Sequence, residues 1–202
     1  MKNVQSENNT MELLADFQLN LSDFALFLSV MKNKKAYQAT LSLILEEPDI
    51  ELKDVKVEQV VLNESGKHTK YKQLPSTVII FITQEDLFGK DLAKYTFTEQ
   101  CEEISGLHLE DGTKKIFLNM TSKNGSKELV SLLQYMKETT LSNPDILVKD
   151  QRLIELDKIV TEVKQSEEWD VVQINILEVG LKRREELGIE RGMQKGIQQG
   201  IQ

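Results

Sequence analysis

Val78-Ile79-Ile80-Phe81-Ile82, followed by Lys94-Tyr95-Thr96-Phe97, Leu107-His108-Leu109 and Lys115-Ile116-Phe117-Leu118-Asn119, is the stretch that decides the fold. The first run is β-branched and aromatic without a break, too short for a helix of average length, and bounded by Pro75 and by Thr83-Gln84-Glu85-Asp86. Such a run reads as a strand buried on both faces, hence in the middle of a sheet. Phe88-Gly89-Lys90 turns the chain and Lys94-Tyr95-Thr96-Phe97 offers a short strand. Leu107-His108-Leu109 then leads through Glu110-Asp111-Gly112-Thr113 into Lys115 to Asn119, a hairpin signal. The expectation is a compact β core followed by helices.

Upstream, Ser22 and Asp23 open a helix, because Phe24, Phe27, Leu28 and Met31 follow at helical spacing with an anion in the first turn. Asn33-Lys34-Lys35 breaks that run, and a second helix carries Tyr37, Leu41, Ile44 and Leu45 on one face. It stops at Glu46-Glu47-Pro48, since proline disfavours helical geometry at the residue before it. Val55, Val57 and Val61 alternate with Asp54, Lys56 and Glu58, the pattern of a half-buried strand. The connector after it holds Lys67, His68, Lys70 and Lys72 with Tyr71 interleaved. A basic segment with an aromatic can track a phosphate backbone, although such charge runs are more often solvated loops, so these five residues stand as a weak nucleic-acid candidate.

Downstream, Ser126 caps a helix with Leu129, Leu132, Leu133 and Met136 on its apolar face. Asn143-Pro144-Asp145 supplies a cap, a first-turn proline and an acid for a further helix, whose stripe is Leu153, Leu156, Ile159, Val160 and Val163. Ser166-Glu167-Glu168-Trp169 starts a third helix. Its end repeats every four residues, with Gly188, Gly192, Gly196 and Gly200 each followed by Ile189, Met193, Ile197 or Ile201. A four-residue period drifts slowly around a helix, so glycines and large apolar residues form adjacent stripes that let another helix approach. Each glycine costs about 0.8–1 kcal/mol of helix propensity relative to alanine, so the tail is expected to order in an oligomer and to fray alone. Gly188, Ile189, Gly192, Met193, Gly196 and Ile197 are the candidate oligomer face.

The chain has 202 residues, 40% of them hydrophobic, which suits an α+β core with appendages. The division expected is a polar, frayed segment over 1–21, a reduced α/β core over 22–140 and a helical region with the glycine tail over 141–202. Cys101 is the single cysteine, no signal-peptide pattern follows Met1, and no apolar run approaches the roughly 18 to 20 residues that cross a bilayer. A cytoplasmic chain with no membrane span is the expectation. The net charge of −8 repels phosphate at long range, so any DNA contact needs a local basic patch. His68 and His108 have no cysteine or carboxylate at metal-ligand spacing, which argues against zinc.

From Tyr71 onward the chain resembles the PD-(D/E)XK nuclease family transposases, the recombination-promoting nucleases. The residues that carry the resemblance are Tyr71-Lys72-Gln73-Leu74 before the Val78 run, Phe88-Gly89, Tyr95-Thr96-Phe97, Cys101 with Glu102-Glu103, and Asp111-Gly112 before Lys115 to Asn119. Glu162-Val163-Lys164, Glu167-Glu168-Trp169 and the glycine-periodic tail extend it. The helices near Phe24 and Leu41 and the segment through Val57 resemble the family's start.

The resemblance implies a mixed sheet, DNA as the target and Mg²⁺ as the cofactor of intact members, held by an acid on one strand and a Glu-x-Gln or Glu-x-Lys element on the next. Here the hairpin bearing both elements has no counterpart, because Val60-Val61-Leu62-Asn63 passes almost directly to Tyr71-Lys72-Gln73-Leu74. Asp49 with Glu51-Leu52-Lys53, Glu162-Val163-Lys164, and Glu110 with Asp111 match fragments of the motif by spacing alone, so no catalytic, cofactor-binding or metal residue is assigned. The function implied is that of a degenerate, non-catalytic member acting through self-association or mixed assembly with an intact relative. The alternative is a Mg²⁺-dependent DNA endonuclease of recombination or transposition. Closing the gap either pairs the strand through Val57 directly with the strand through Ile80 or leaves edges bare, and since bare edges recruit partners, a homo-oligomer or an intact family member is the expected partner.

Overall fold

The computed structural model describes residues 18–48, 50–52 and 77–200. It is an α+β fold with a small mixed sheet. Among the described residues the elements are helices α1 (Phe24–Met31) and α2 (Lys34–Leu45), strands β1 (Val78–Thr83), β2 (Lys94–Thr98) and β3 (Lys114–Asn119), and helices α3 (Lys127–Lys137), α4 (Gln151–Lys164) and α5 (Glu167–Gly200). Asn20–Ile159 forms one compact unit, and the described residues from Val160 onward belong to another. The Val55–Val61 alternation lies outside the described residues.

The sheet order is β1-β3-β2, with β1 parallel and β2 antiparallel to β3. The strand in the middle is therefore β3, whose Ile116 and Leu118 are buried. The expected burial of Val78 to Ile82 on both faces is not found. That run is an edge strand among the described residues, with Val78, Ile79 and Phe81 each exposed by at least 40%. An unbroken apolar run reports the absence of polar side chains, not what covers them, and the pairing that would bury it is non-local.

The hairpin expected between Leu107-His108-Leu109 and Lys115 to Asn119 does not form either. The antiparallel neighbour of β3 is β2, in a register that sets Tyr95 opposite Phe117. Residues 99–109 instead fold back on themselves. Cys101 N–H donates to the Leu107 carbonyl, Leu109 N–H donates to the Glu99 carbonyl, and a lone bridge joins Gln100 and His108.

Helix α3 is the hub of this unit. All its residues from Leu129 to Met136 are buried, and a helix buried all round belongs in a core. Ser126 caps it as the sequence predicts, its Oγ accepting from Leu129 N–H at 3.4 Å. The buried polar side chains on α3 each have a partner. Ser131 Oγ accepts from Leu147 and Val148 N–H, Gln134 Nε2 donates to the Met120 carbonyl, and Tyr135 Oη donates to Asp157 at 2.8 Å. Burial, then the bond to Asp157, pushes the Tyr135 phenol well above its ordinary range.

At its C-terminal end α3 is clasped by the chain entering α1, through Ser22 N–H to the Met136 carbonyl and Leu21 N–H to Thr139 Oγ1. The α1 face that is buried carries Leu26, Val30 and Met31, while Phe24 is exposed. The expected Phe24 face is rotated because α1 is apolar on nearly every side, so periodicity cannot choose. On α2 the same rotation buries Ala36, Ala39, Thr40, Leu43 and Ile44, leaving Tyr37 and Leu41 half-buried. Asn33 caps α2, accepting from Lys35 and Ala36 N–H, and a left-handed Glu46 ends it.

Helix α4 begins at Gln151, later than Asn143-Pro144-Asp145 suggests. Asn143 spends its side chain on a turn, accepting from Asp145 N–H and donating to the Gln134 carbonyl. The cap is Asp150, which accepts from Arg152 N–H and pairs with the Arg152 guanidinium at 2.8 and 2.9 Å. Leu153, Leu156, Ile159 and Val160 are buried as the stripe requires.

In the second unit Ser166 starts α5, accepting from Trp169 N–H, with Glu167, Glu168 and Asp170 in the first turn. No helix among the described residues is long and apolar enough to cross a membrane.

Candidate interaction surface

Two features of the sheet fall outside the core, the aromatic face and the free edge of β1. Register explains the first. Phe81 pairs with Phe117 and Phe117 with Tyr95, so side chains of one strand parity line up on one face. Phe81 and Phe117 stack with ring centroids 4.5 Å apart, and Phe97 meets Phe117 edge-on at 5.7 Å.

Phe88, from the β1–β2 connection, lies over them at 4.8 Å from Tyr95, 5.1 Å from Phe97 and 5.3 Å from Phe117. Asp86 holds this connection in place, its carboxylate accepting from the N–H groups of Phe88, Gly89 and Asp91 and from the Tyr95 hydroxyl. Burial works against its charge, but these bonds together hold its pKa below the ordinary range. Gly89 has φ +63, which a β-carbon would strain. Phe81, Phe88 and Phe97 nevertheless remain partly open to solvent.

The second feature is backbone. Lys114 N–H donates to the Thr77 carbonyl and Met120 N–H to the Thr83 carbonyl, so the odd-numbered residues of β1 turn their polar groups toward β3. Val78, Ile80 and Ile82 turn theirs away, along an edge that no described strand pairs. The opposite edge, on β2, carries Lys94, which pairs with Glu46. The Glu46 carboxyl is held below its ordinary range by Lys94 first and Ser126 next. A lysine guards that edge, whereas β1 has no charged side chain at all.

The residues singled out in the sequence are scattered. Lys67, His68, Lys70, Tyr71, Lys72 and Asp49 lie outside the described residues. Gly188 faces open space, and Ile189 and Met193 are exposed, the latter by 68%. Gly192, Gly196 and Ile197 continue the α5 backbone, and what surrounds their side chains lies outside the description.

Glu51 and Glu162 are exposed, and the Asp111 carboxylate is occupied by Thr113, through Oγ1 at 2.7 Å and N–H at 2.9 Å. Those bonds to Thr113 lower its pKa. Asp111 borders an open depression of about 300 Å³ lined also by Glu99, His108, Glu110 and Lys114. Among the described residues no three His, Cys, Asp or Glu side chains gather as a metal site would need.

What sequence reading missed is the aromatic cluster. Its signal was present in the i, i+2 spacing of Tyr95 and Phe97, but assembling it required the β1-β3-β2 order. Comparison of the chain with protein-family models, curated proteins and solved structures gives no match.

Proposed function

We propose that this chain works by association, as a reduced and non-catalytic relative of the PD-(D/E)XK nuclease transposases that assembles with itself or with an intact member of that family. The observation that supports this reading is β1, an uncharged strand with one edge that no strand among the described residues pairs and with Val78, Ile79 and Phe81 open to solvent. Apolar edges of this kind are templates for pairing with another chain, which proteins that stay monomeric block with charge, proline or a bulge. The exposed apolar residues of α5, Val179, Leu187, Ile189 and Met193 among them, add a second surface of the same character.

Sedimentation velocity of the full chain across a wide concentration range tests the reading. Association that grows with concentration is expected, and a single monomeric species at the highest concentration contradicts it. Plasmid relaxation with Mg²⁺ or Mn²⁺ is expected to stay at background; cleavage lost in Glu51→Gln or Asp111→Asn would replace this reading with that of a nuclease.

A further inference from the structure

We propose that Asn124 is a site of spontaneous covalent modification, cyclising onto Gly125 and reopening as aspartate or isoaspartate, and that the isoaspartate form releases the latch between β2 and α3. The proposal is independent of the association reading above.

The latch is the connection Thr121-Ser122-Lys123-Asn124-Gly125-Ser126, which runs from β3 into α3. It holds the chain that enters β2. Ala93 N–H donates to the Asn124 carbonyl at 2.9 Å, and Ser122 Oγ donates to the Asp91 carbonyl at 2.9 Å. Gly125 approaches Ala93 so closely that a β-carbon on it would stand 2.8 Å from the Ala93 β-carbon. Packing therefore selects glycine at 125, and a residue with no side chain leaves its own amide nitrogen unshielded. The nitrogen that follows Asn124 is in this way kept open to attack on the Asn124 side chain.

The chemistry needs only water. Gly125 N gives up its proton to water or hydroxide and bonds to Asn124 Cγ; the Cγ–Nδ2 bond breaks, and Nδ2 takes a proton and leaves as ammonia. Water then opens the resulting five-membered imide at one of its two carbonyls. Opening at the Cγ carbonyl gives aspartate on an unaltered main chain. Opening at the main-chain carbonyl gives isoaspartate, in which the backbone runs through Cβ and Cγ.

Position sets Asn124 apart from other asparagines of the chain. It is the one asparagine followed by glycine, and it is exposed and outside any helix or strand. Asn20 Oδ1 accepts from Thr139 N–H, Asn33 caps α2, and Asn119 Oδ1 accepts from Thr121 N–H and Oγ1. Asn143 precedes Pro144, which has no N–H to lose, and Asn175 lies within α5.

The two products load the fold differently. Isoaspartate adds a methylene to the main chain and turns the carbonyl that holds Ala93 N–H into a carboxylate on a branch. The lengthened chain must displace Gly125 from Ala93 or Ser126 from its cap on Leu129 N–H. Aspartate keeps the main chain and sets a negative charge two residues before the Ser126 cap, near the positive end of the α3 dipole.

Ageing the full chain at mildly alkaline pH, with peptide mapping by mass spectrometry and fragmentation that separates isoaspartate from aspartate, tests the proposal. The mass gain of an amide-to-acid exchange is expected at Asn124 ahead of every other asparagine, faster as pH rises and abolished there in Asn124→Gln. The isoaspartate fraction is expected to melt below the fresh protein, and Asn124→Asp to melt at or above it. Conversion in the urea-unfolded chain with none in the folded chain would overturn the assignment of the site. An isoaspartate fraction that melts with the fresh protein would overturn its effect on the latch.

Discussion

Helix α3 and strand β1 set two kinds of sequence side by side. From Leu129 to Met136, α3 mixes Ser131, Gln134 and Tyr135 among apolar residues, and all of them are buried. From Val78 to Ile82, β1 holds no polar side chain, yet none of its residues is fully buried. Burial here follows from partners. The polar groups of α3 are admitted because Leu147, Val148, Met120 and Asp157 satisfy them, and an unsatisfied one would cost about 1–3 kcal/mol. The apolar groups of β1 stay open because its outer side has no neighbouring strand among the described residues.

The comparison breaks first at the core. Leu133→Ala in α3, where the side chain is fully buried, is expected to cost about 2–5 kcal/mol in urea denaturation. Val78→Ala is expected to cost under about 1 kcal/mol, since much of that side chain is already in water. Equal losses at the two positions would mean that β1 is covered in solution.

A smaller effect is expected at Gly125. A β-carbon there would stand 2.8 Å from the Ala93 β-carbon, and Ala93 is buried where its N–H meets the Asn124 carbonyl. Gly125→Ala is therefore expected to destabilise by about 1–3 kcal/mol through overpacking, read as a lowered thermal midpoint.

The smallest effect concerns the connection over the aromatic face. Because the Asp86 pKa is lowered in the folded chain, its contribution is fully present above the unfolded value near 3.9 and is lost as pH falls through the lower folded value. Asp86→Asn should flatten that acid limb of stability, and an unchanged limb would remove Asp86 as its source.

Local grammar was readable from the residues alone. The strands at Val78, Lys94 and Lys115, the Ser126 cap and the buried stripe of α4 follow from propensity, capping and period. What could not be read was pairing. Whether β3 takes β2 or the Leu107 segment as its antiparallel neighbour depends on tertiary packing, and that choice also decides which strand lies at the edge. The start of α4 moved because Asn143 found a longer-range use at the Gln134 carbonyl, which no local signal encodes. The aromatic cluster beside β1, and which strands lie at the sheet's ends among the described residues, required the strand order.

Amide hydrogen exchange along β1, followed over a series of protein concentrations, tests the central claim most directly. In dilute solution the N–H groups of Ile79, Phe81 and Thr83, which face β3, should exchange slowly and those of Val78, Ile80 and Ile82 quickly. Raising the concentration should slow the second set alone. Protection of Val78, Ile80 and Ile82 at the lowest concentration, or rapid exchange that no concentration slows, would contradict an open edge that recruits a second strand.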